Sequence, residues 1–239
     1  MPRFFKTDFN NSPFVDGEDA SHIAKSLRMR VGEQLTVCDT NGNDYLCEIT
    51  SIDSSRVDFN IISESKTISE PSVAVTLFQC MPKSDKMDNV VKQSVELGVT
   101  EITPVISSRC VSVPDAKASA KKAERWQRIA NEAAGQSGRG ILPKVNNVIT
   151  FKQMLTALNN FDNILIFYEN GGVPISSLEI ANGKCAIIIG PEGGFDLSEV
   201  EAAKQIGAEV CTLGKRILRT ETAPLAALSS IMTLTGNMD

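Results

Sequence analysis

Two apolar runs that each end at glycine place the strongest constraint on the fold of this chain. The first run, Cys185–Ile189, ends at Gly190-Pro191-Glu192-Gly193-Gly194, and the second, Val210–Leu213, ends at Gly214. Short runs without polar alternation are typical of strands that are buried on both faces of a parallel sheet. Because ligands of open α/β sheets bind at the carboxyl ends of strands, the two loops predict a small-molecule site.

Further apolar runs alternate with helical patterns through residues 71–239. Strands are predicted at residues 73–80, 102–106 and 163–168, and helices at residues 87–97, 116–134, 151–159 and 175–180. This alternation predicts a parallel α/β sheet whose right-handed crossovers place helices on both faces.

Residues 1–70 have a different pattern and are predicted to form a separate domain. Asn41-Gly42 lies between two alternating runs, which is a strong hairpin signal, and Arg56–Ile61 is a third alternating run. Several closely spaced short strands favour a small β-barrel. The polar stretch Ser63–Ser72 is interpreted as a linker to the second domain, residues 71–239.

The composition argues against several classes of protein. The chain of 239 residues has no apolar run near the ~20 residues of a membrane helix. Its N-terminus lacks a signal-peptide pattern, so the cytoplasm is the expected compartment. The six cysteines are not spaced as zinc ligands and the only histidine is His22, so no metal site is expected.

Charge is distributed unevenly along the chain. The net charge of −5 argues against a general nucleic-acid binder, but residues 71–150 carry 11 Lys and Arg against 7 Asp and Glu. Four of these cations, Lys121, Lys122, Arg125 and Arg128, share one face of a predicted helix. That face is either an ordinary solvated surface or a contact for RNA phosphates.

The segment Gly190–Gly194 permits three interpretations. It lacks the lysine and hydroxyl of a P-loop and the G-x-G-x-x-G of a dinucleotide fold, so phosphate is the least favoured ligand. A tight structural turn and a site for a neutral or cationic ligand both remain. Asp196 and Glu199 fit a capping box at the start of the following helix.

The second loop continues into charged and hydroxyl residues before a C-terminal helix. Pro224 suits the first turn of that helix, and Thr222 is either its N-cap or part of a ligand site. Arg219 and Glu221 are likewise either an ion pair with each other or members of the site.

Four ordered blocks of the sequence together resemble one protein family. The blocks are Lys83-Ser84-Asp85-Lys86-Met87-Asp88 with Glu96-Leu97-Gly98-Val99, Arg125-Trp126 with Gln136-Ser137-Gly138-Arg139, Ile189–Phe195, and Leu213–Ala223. The family is RsmE, the bacterial 16S ribosomal RNA uridine-N3 methyltransferases of the SPOUT superfamily. His22 with Leu27–Gly32 also resembles the PUA-like domain of that family. Gly135 departs from the family pattern, in which a larger residue is expected.

The resemblance implies a fold and a ligand that the residue pattern alone does not. The fold is α/β, a SPOUT-type parallel sheet with a C-terminal deep trefoil knot, preceded by a small PUA-like β-barrel. The implied assembly is a homodimer whose active site draws on both subunits, with S-adenosylmethionine as methyl donor and no metal. The cofactor-binding residues would be Phe167, Tyr168, Ile189, Gly190, Pro191, Glu192, Gly193, Gly194, Leu213, Gly214, Ile217, Leu218, Arg219, Thr222 and Ala223.

The implied reaction is S-adenosylmethionine-dependent methylation of N3 of a specific uridine in 16S ribosomal RNA of the small ribosomal subunit. Glu192 and Glu221 are candidate general bases, whereas Arg219, or Arg139 of the partner subunit, is a candidate for stabilising charge on the uracil. The predicted RNA contacts are Arg3, Arg28, Arg30, Lys83, Lys86, Arg125, Arg128 and Arg139. The alternatives are a non-enzymatic RNA-binding factor in ribosome assembly and a SPOUT methyltransferase that acts on another RNA site.

Overall fold

The computed structural model describes residues 1–181 and 183–238, which fold into two compact units. The first unit consists of residues 1–70 and 134–142. The second consists of residues 71–133 and the described residues from 143 onward. None of the helices in the described residues is both long and apolar enough to cross a membrane.

The first unit is built on one mixed sheet. Its elements are β1 (Arg3–Phe5), β2 (Phe14–Asp16), α1 (Gly17–Ser21), β3 (Gln34–Cys38), β4 (Asn43–Ile52) and β5 (Arg56–Lys66), with a 3-10 turn at Phe9–Asn11 and a π-helical turn at His22–Ser26. The strand order is β1-β3-β4-β5-β2, and only the β1–β3 pair is parallel. The linker predicted from Ser63 begins later, because β5 continues to Lys66.

The hairpin predicted at Asn41-Gly42 is confirmed. Strands β3 and β4 pair antiparallel, and Gly42 has a φ of +85°, a conformation that favours glycine. Alternate strand residues, such as the fully buried Leu35 and Ile49, fill a core together with Phe9 of the 3-10 turn. The sequence pattern does not predict the short strands β1 and β2, because each has only three residues.

The second unit alternates strands and helices as predicted. Its elements are β6 (Ala74–Cys80), α2 (Lys86–Glu96), β7 (Glu101–Ile106), α3 (Ala116–Gln136), β8 (Lys144–Val145), β9 (Ile149–Thr150), α4 (Phe151–Ala157), β10 (Asn163–Phe167), β11 (Val173–Pro174), β12 (Lys184–Ile189), α5 (Leu197–Gln205), β13 (Glu209–Thr212) and α6 (Ala223–Leu234). The end of α3, from Ala134, belongs to the first unit. The helix predicted at residues 175–180 is wrong, because only Ile175–Ser177 form a 3-10 turn there.

The sheet of the second unit is parallel throughout, as predicted. Its order is β11-β13-β10-β12-β6-β7-β8, and β9 also pairs with β7. The apolar run Cys185–Ile189 lies within strand β12, and no residue of the run is more than 2% exposed. Since parallel strands run in one direction, the carboxyl ends of β10, β12 and β13 meet at one edge of the sheet.

The long helix α3 has one buried face and one solvent-exposed face. Trp126 and Ala130 are buried, whereas Arg125 and Arg128 are exposed. The helix continues through Gly135 to Gln136, so the departure from the family pattern at Gly135 does not end the helix early.

Candidate active site

A cavity of about 520 Å³ lies at the carboxyl ends of β10, β12 and β13. Phe167 at the end of β10 is level with Ile189 of β12 and Cys211 of β13, so the loops after these strands converge. Every residue predicted to bind the cofactor except Thr222 lines the cavity, namely Phe167, Tyr168, Ile189, Gly190, Pro191, Glu192, Gly193, Gly194, Leu213, Gly214, Ile217, Leu218, Arg219 and Ala223. The structure thus brings these residues together, and their binding of a cofactor stays a prediction.

The segment Gly190–Gly194, called the glycine loop below, requires glycine at two of its positions. Gly194 has a φ of +67°, and a Cβ atom there would lie 2.1 Å from Oε1 of Glu169. A Cβ atom at Gly190 would lie 3.2 Å from the ring of Phe195. Glycine at these positions therefore lets the backbone itself form one wall of the cavity.

The helix after the glycine loop begins with the predicted capping box, which is confirmed. Oδ1 of Asp196 accepts a hydrogen bond from the Ser198 N–H at 3.0 Å, and Oε2 of Glu199 accepts one from the Asp196 N–H at 3.0 Å. This reciprocal pair satisfies N–H groups at the start of α5 and fixes the direction in which the chain leaves the loop.

The loop after β7 supports the glycine loop from the side, which the sequence analysis does not predict. Nη1 of Arg109 donates to the Gly193 carbonyl at 3.1 Å, and Nη2 lies 3.2 Å from Oδ2 of Asp196. The preceding N–H, that of Ser108, donates to Oε1 of Glu199 at 2.8 Å. Two consecutive residues of this loop therefore hold the glycine loop and the start of α5.

Thr220, which the sequence analysis does not select, joins the second loop to the glycine loop. It is only 5% exposed, and its hydroxyl donates to the Gly190 carbonyl at 2.7 Å. The same hydroxyl oxygen accepts from Nε2 of Gln79, a fully buried residue of β6, at 3.1 Å. This chain of hydrogen bonds fixes both loops against the sheet.

Lys86 lies between two carboxylates at the cavity. Its Nζ atom is 3.0 Å from Oε1 of Glu192 in the glycine loop and 3.0 Å from Oε2 of Glu221 in the second loop. The Lys83 N–H also donates to Glu192 Oε1, at 3.1 Å. Lys86, Glu192 and Glu221, called the Lys86 cluster below, thus connect the start of α2 to two loops. The structure places Lys86 in the wall of the cavity. Its predicted contact with RNA stays a prediction.

The Lys86 cluster determines the ionisation of both carboxyl groups. Burial raises the pKa of Glu192, but hydrogen bonds from Lys86 and from backbone N–H groups outweigh it, so the pKa lies below its ordinary value. Burial opposes ionisation of Glu221 in the same way, and its own N–H and Lys86 again hold the pKa below the ordinary value. Both carboxyl groups are therefore ionised at neutral pH, and their lowered pKa makes them weak proton acceptors.

Two structural interpretations of the second loop are wrong. Among the described residues Arg219 forms no ion pair with Glu221, since the carboxylate of Glu221 pairs with Lys86. Thr222 precedes α6 with near-helical dihedral angles, φ −92° and ψ −34°, and its side chain makes no capping hydrogen bond. Arg219 is exposed and lines the cavity, so its guanidinium can reach a bound molecule.

Two predicted RNA contacts in the first unit are internal instead. Nε and Nη2 of Arg139 donate to the two carboxylate oxygens of Glu70 at 2.9 and 2.8 Å, and the Arg139 side chain is only 3% exposed. Nη2 of Arg3 lies 2.5 Å from Oδ1 of Asp44, and Arg3 Nε donates to the Arg139 carbonyl at 2.8 Å. Arg3 and Arg139 are thus both engaged within the first unit. Their contact with RNA and the catalytic role of Arg139 stay predictions.

The remaining predicted RNA contacts are at the surface. Arg125 forms an ion pair with Asp88, which also accepts a hydrogen bond from Trp126 Nε1 at 3.1 Å. The exposed residues are Arg28, Arg30, Lys83, Arg125 and Arg128. Their contact with RNA stays a prediction.

Models of two protein families match this chain. One described as an RNA methyltransferase domain matches residues 69–232, and one described as an RNA methyltransferase PUA domain matches residues 15–62. Ribosomal RNA small subunit methyltransferase E of Bacillus subtilis is 36% identical over 245 residues, which cover 97% of this chain and 96% of that protein. The protein of the same name from Mesomycoplasma hyopneumoniae is 33% identical, with 96% and 98% covered.

Solved structures agree with the sequence matches. The ribosomal RNA small subunit methyltransferase E of Neisseria gonorrhoeae, bound to S-adenosyl methionine, superposes with a TM-score of 0.88 at 36% identity and covers 98% of each chain. A putative methyltransferase of Legionella pneumophila with bound cofactor SAM superposes with a TM-score of 0.89 at 30% identity, with 98% and 97% covered. These matches confirm the predicted α/β fold with a PUA-like first domain, while the trefoil knot stays a prediction. The chain belongs to the ribosomal RNA small subunit methyltransferase E family of RNA methyltransferases.

Proposed function

We propose that this protein transfers a methyl group from S-adenosylmethionine to N3 of a uridine in 16S ribosomal RNA of the small ribosomal subunit. The observation that carries the proposal is the cavity where the loops after β10, β12 and β13 converge, in a chain of this family. The solved relative that binds S-adenosyl methionine aligns with 98% of the chain, so the loops that form the cavity have counterparts there. With ribosomal RNA as acceptor we expect the reaction to take place in the cytoplasm, and the family resemblance implies that the active form is a homodimer.

The residues of the cavity fit this cofactor. A volume of about 520 Å³ is within the ordinary range of roughly 300–1,000 Å³ for small-molecule sites. The glycine loop offers backbone groups at close range, and Ile189, Leu213 and Leu218 offer apolar contacts for an adenosine. The carboxylates of Glu169 and Glu192 also line the cavity, beside the cations Lys86, Lys215, Arg216 and Arg219, so the charge of the lining does not select the ligand. When bound, S-adenosylmethionine supplies an activated methyl group on a cationic sulfonium.

Methylation of uridine N3 also requires the protein to bind the base in a reactive form. Uridine N3 carries a weakly acidic proton that normal base pairing occupies, so the base must be unpaired and must lose that proton. Glu192 and Glu221 are weak proton acceptors in the Lys86 cluster, so we assign them to holding Lys86 and the loops. The exposed Arg219 guanidinium is placed to stabilise the negative charge that develops on the uracil.

The exposed cations of both units are suited to hold the RNA. Arg28 and Arg30 of the first unit and Arg128 of α3 are exposed. Such contacts bind phosphates without reading sequence, so they position the RNA while the cavity selects the base.

Two measurements test the proposal. Calorimetric titration with S-adenosylmethionine should give saturable binding. Small subunits from a strain that lacks the gene, incubated with the protein and S-adenosylmethionine, should gain one N3-methyluridine in 16S ribosomal RNA, detected by mass spectrometry of nucleosides. Absence of binding would favour the non-enzymatic assembly factor. Methylation of a ribose hydroxyl or of another RNA would favour the other SPOUT target.

Substitution of Arg219 tests the assigned role. Arg219→Ala should keep its circular dichroism spectrum and bind the cofactor, but should lower single-turnover methyl transfer about 10²–10³-fold, as for loss of one charge-stabilising donor. Arg219→Lys keeps the positive charge but lacks the planar guanidinium group, so its rate of methyl transfer should lie between those of the wild type and Arg219→Ala. Near-normal transfer by Arg219→Ala would contradict the assignment.

A further inference from the structure

A pair of cysteines lies beside the glycine loop, at the carboxyl ends of β6 and β7. Cys80 is the last residue of β6 and is level with Val105 of β7. The Met81 N–H donates to the Val105 carbonyl at 2.8 Å, and Sγ of Cys110 lies 3.8 Å from the same carbonyl oxygen. Cys110 packs against the buried cluster to which Cys80 belongs.

The surroundings of Cys110 stabilise a thiolate. Its Sγ accepts from the Ser107 N–H at 3.4 Å and lies 3.3 Å from the Ser107 hydroxyl, while the Cys110 N–H donates back to the Ser107 carbonyl at 3.1 Å. The hydrogen bond from Cys80, aided by those from Ser107, outweighs burial and lowers the pKa of Cys110 to about 6. The pKa of Cys80 is raised, chiefly by burial. Two charged residues belong to this turn or contact it: Arg109, and Glu199 of α5, which accepts a hydrogen bond from the Ser108 N–H.

Cys110 is also the most accessible thiol of the protein. It is partly exposed, whereas the other five cysteines are buried. Burial raises the pKa values of Cys47, Cys185 and Cys211 to about 12. Accessibility and ionisation together select Cys110 for reaction with electrophiles, because the thiolate is the reactive form.

The residues next to Cys110 support the cofactor cavity. Ser108 donates to Glu199, and Arg109 donates to the Gly193 carbonyl of the glycine loop. Cys110 therefore lies within two residues of both of these contacts, one with the glycine loop and one with the start of α5. A covalent change at Cys110 that moves the turn Ser107–Cys110 must displace one or both contacts.

We propose that Cys110 and Cys80 form a peroxide-reactive thiol pair that regulates the glycine loop. Hydrogen peroxide is the oxidant: the Cys110 thiolate forms an S–O bond, the O–O bond breaks, and hydroxide leaves. The Cys80 sulfur then attacks the sulfenic acid, an S–S bond forms, the S–O bond breaks, and the thiol proton leaves with hydroxide as water. Two thiols are oxidised by two electrons and peroxide is reduced to water. The reactivity stands on its own, whereas the regulation of cofactor binding rests on the proposed function.

Alkylation of the folded protein tests the reactivity. Iodoacetamide should label Cys110 first, with a rate that is half-maximal near pH 6 and level above pH 7, because the folded pKa is about 6. An unperturbed thiol would instead reach half its maximal rate near pH ~8.5. The other five cysteines, followed in the same peptide digest, are internal controls. Labelling of Cys110 no faster than theirs, or a midpoint near that of a free thiol, overturns the proposal.

Peroxide treatment tests the pair and its effect on the cofactor. Wild-type protein should lose two hydrogens and yield a Cys80–Cys110 linked peptide, whereas Cys80→Ser should stop at a sulfenic acid that dimedone traps on Cys110. Calorimetry should show at least about tenfold weaker S-adenosylmethionine binding after oxidation, reversed by dithiothreitol, and no change for treated Cys110→Ser. Unchanged affinity in a protein with the linked peptide overturns the regulation. If the reduced protein binds no S-adenosylmethionine, the proposed function is contradicted instead. The presence or absence of the Cys80–Cys110 linked peptide then still tests the thiol chemistry.

Discussion

At the residue scale, one lysine organises the charges of the cavity. Lys86 follows β6, Glu192 follows β12 and Glu221 precedes α6, so the Lys86 cluster joins chain segments that are more than 100 residues apart in sequence. The hydrogen bonds that Glu192 and Glu221 accept raise the pKa of Lys86, which therefore stays charged at neutral pH. The cluster is partly exposed, with Lys86 at 33% and both carboxylates at 25%, so its effect is mainly on loop position.

Lys86→Met removes the shared cation while keeping much of the aliphatic stem. Two carboxylates without their partner should repel each other and separate the loops, so we expect S-adenosylmethionine to bind roughly tenfold more weakly. Lys83→Met is the matched control, because Lys83 contacts Glu192 through its backbone N–H, which the substitution keeps. Calorimetry on the two variants checks the prediction. Equal affinities would show that the cluster does not position the cavity.

The sequence predicts cavity residues well where a strand visibly ends at glycine, and poorly elsewhere. The glycine loop follows from that rule. Arg109 also follows a strand end, that of β7, but a single arginine in a polar loop gives no signal of its own. Thr220 and Lys86 act through partners distant in sequence, so only the folded chain shows their roles.

At the element scale, two helices that begin after threonine are capped differently. Thr150 accepts from the Gln153 N–H at 3.3 Å, and the Gln153 side chain accepts from the Thr150 N–H at 2.8 Å, a capping box for α4. Thr222 before α6 makes no such bond. Both threonines satisfy the same sequence rule, so local sequence predicts where a helix begins better than how it is capped.

The two threonines therefore form a matched pair of variants. Thr150→Ala should lower the free energy of unfolding by about 1 kcal/mol, because it removes a capping hydrogen bond. Thr222→Ala should change it by less than about 0.5 kcal/mol, as for a surface substitution that removes no such bond. Urea unfolding followed by circular dichroism measures both values. An equal decrease in the two variants would mean that Thr222 also caps its helix in solution.

At the scale of the whole molecule, an acidic chain is expected to bind an acidic polymer. The net charge is −5, so binding depends on local cations rather than on total charge. On α3, Arg125 is engaged with Asp88, whereas Arg128 and Glu132 are exposed one turn apart. The fold class follows from the strand–helix alternation, but which cations remain available follows only from the tertiary structure.

Opposite charge reversals on this face of α3 test whether it contacts RNA. Arg128→Glu should weaken binding to the small subunit and reduce the slope of log K against log salt concentration by about 0.7 for each RNA phosphate that the variant no longer neutralises. Glu132→Lys, one helical turn away, should strengthen binding and steepen the same slope, because it adds a cation to the same face. Affinities measured across a salt series compare the two variants with the wild type. If both reversals leave affinity and slope unchanged, this face is only solvated and other cations, such as Arg28 and Arg30, must hold the RNA.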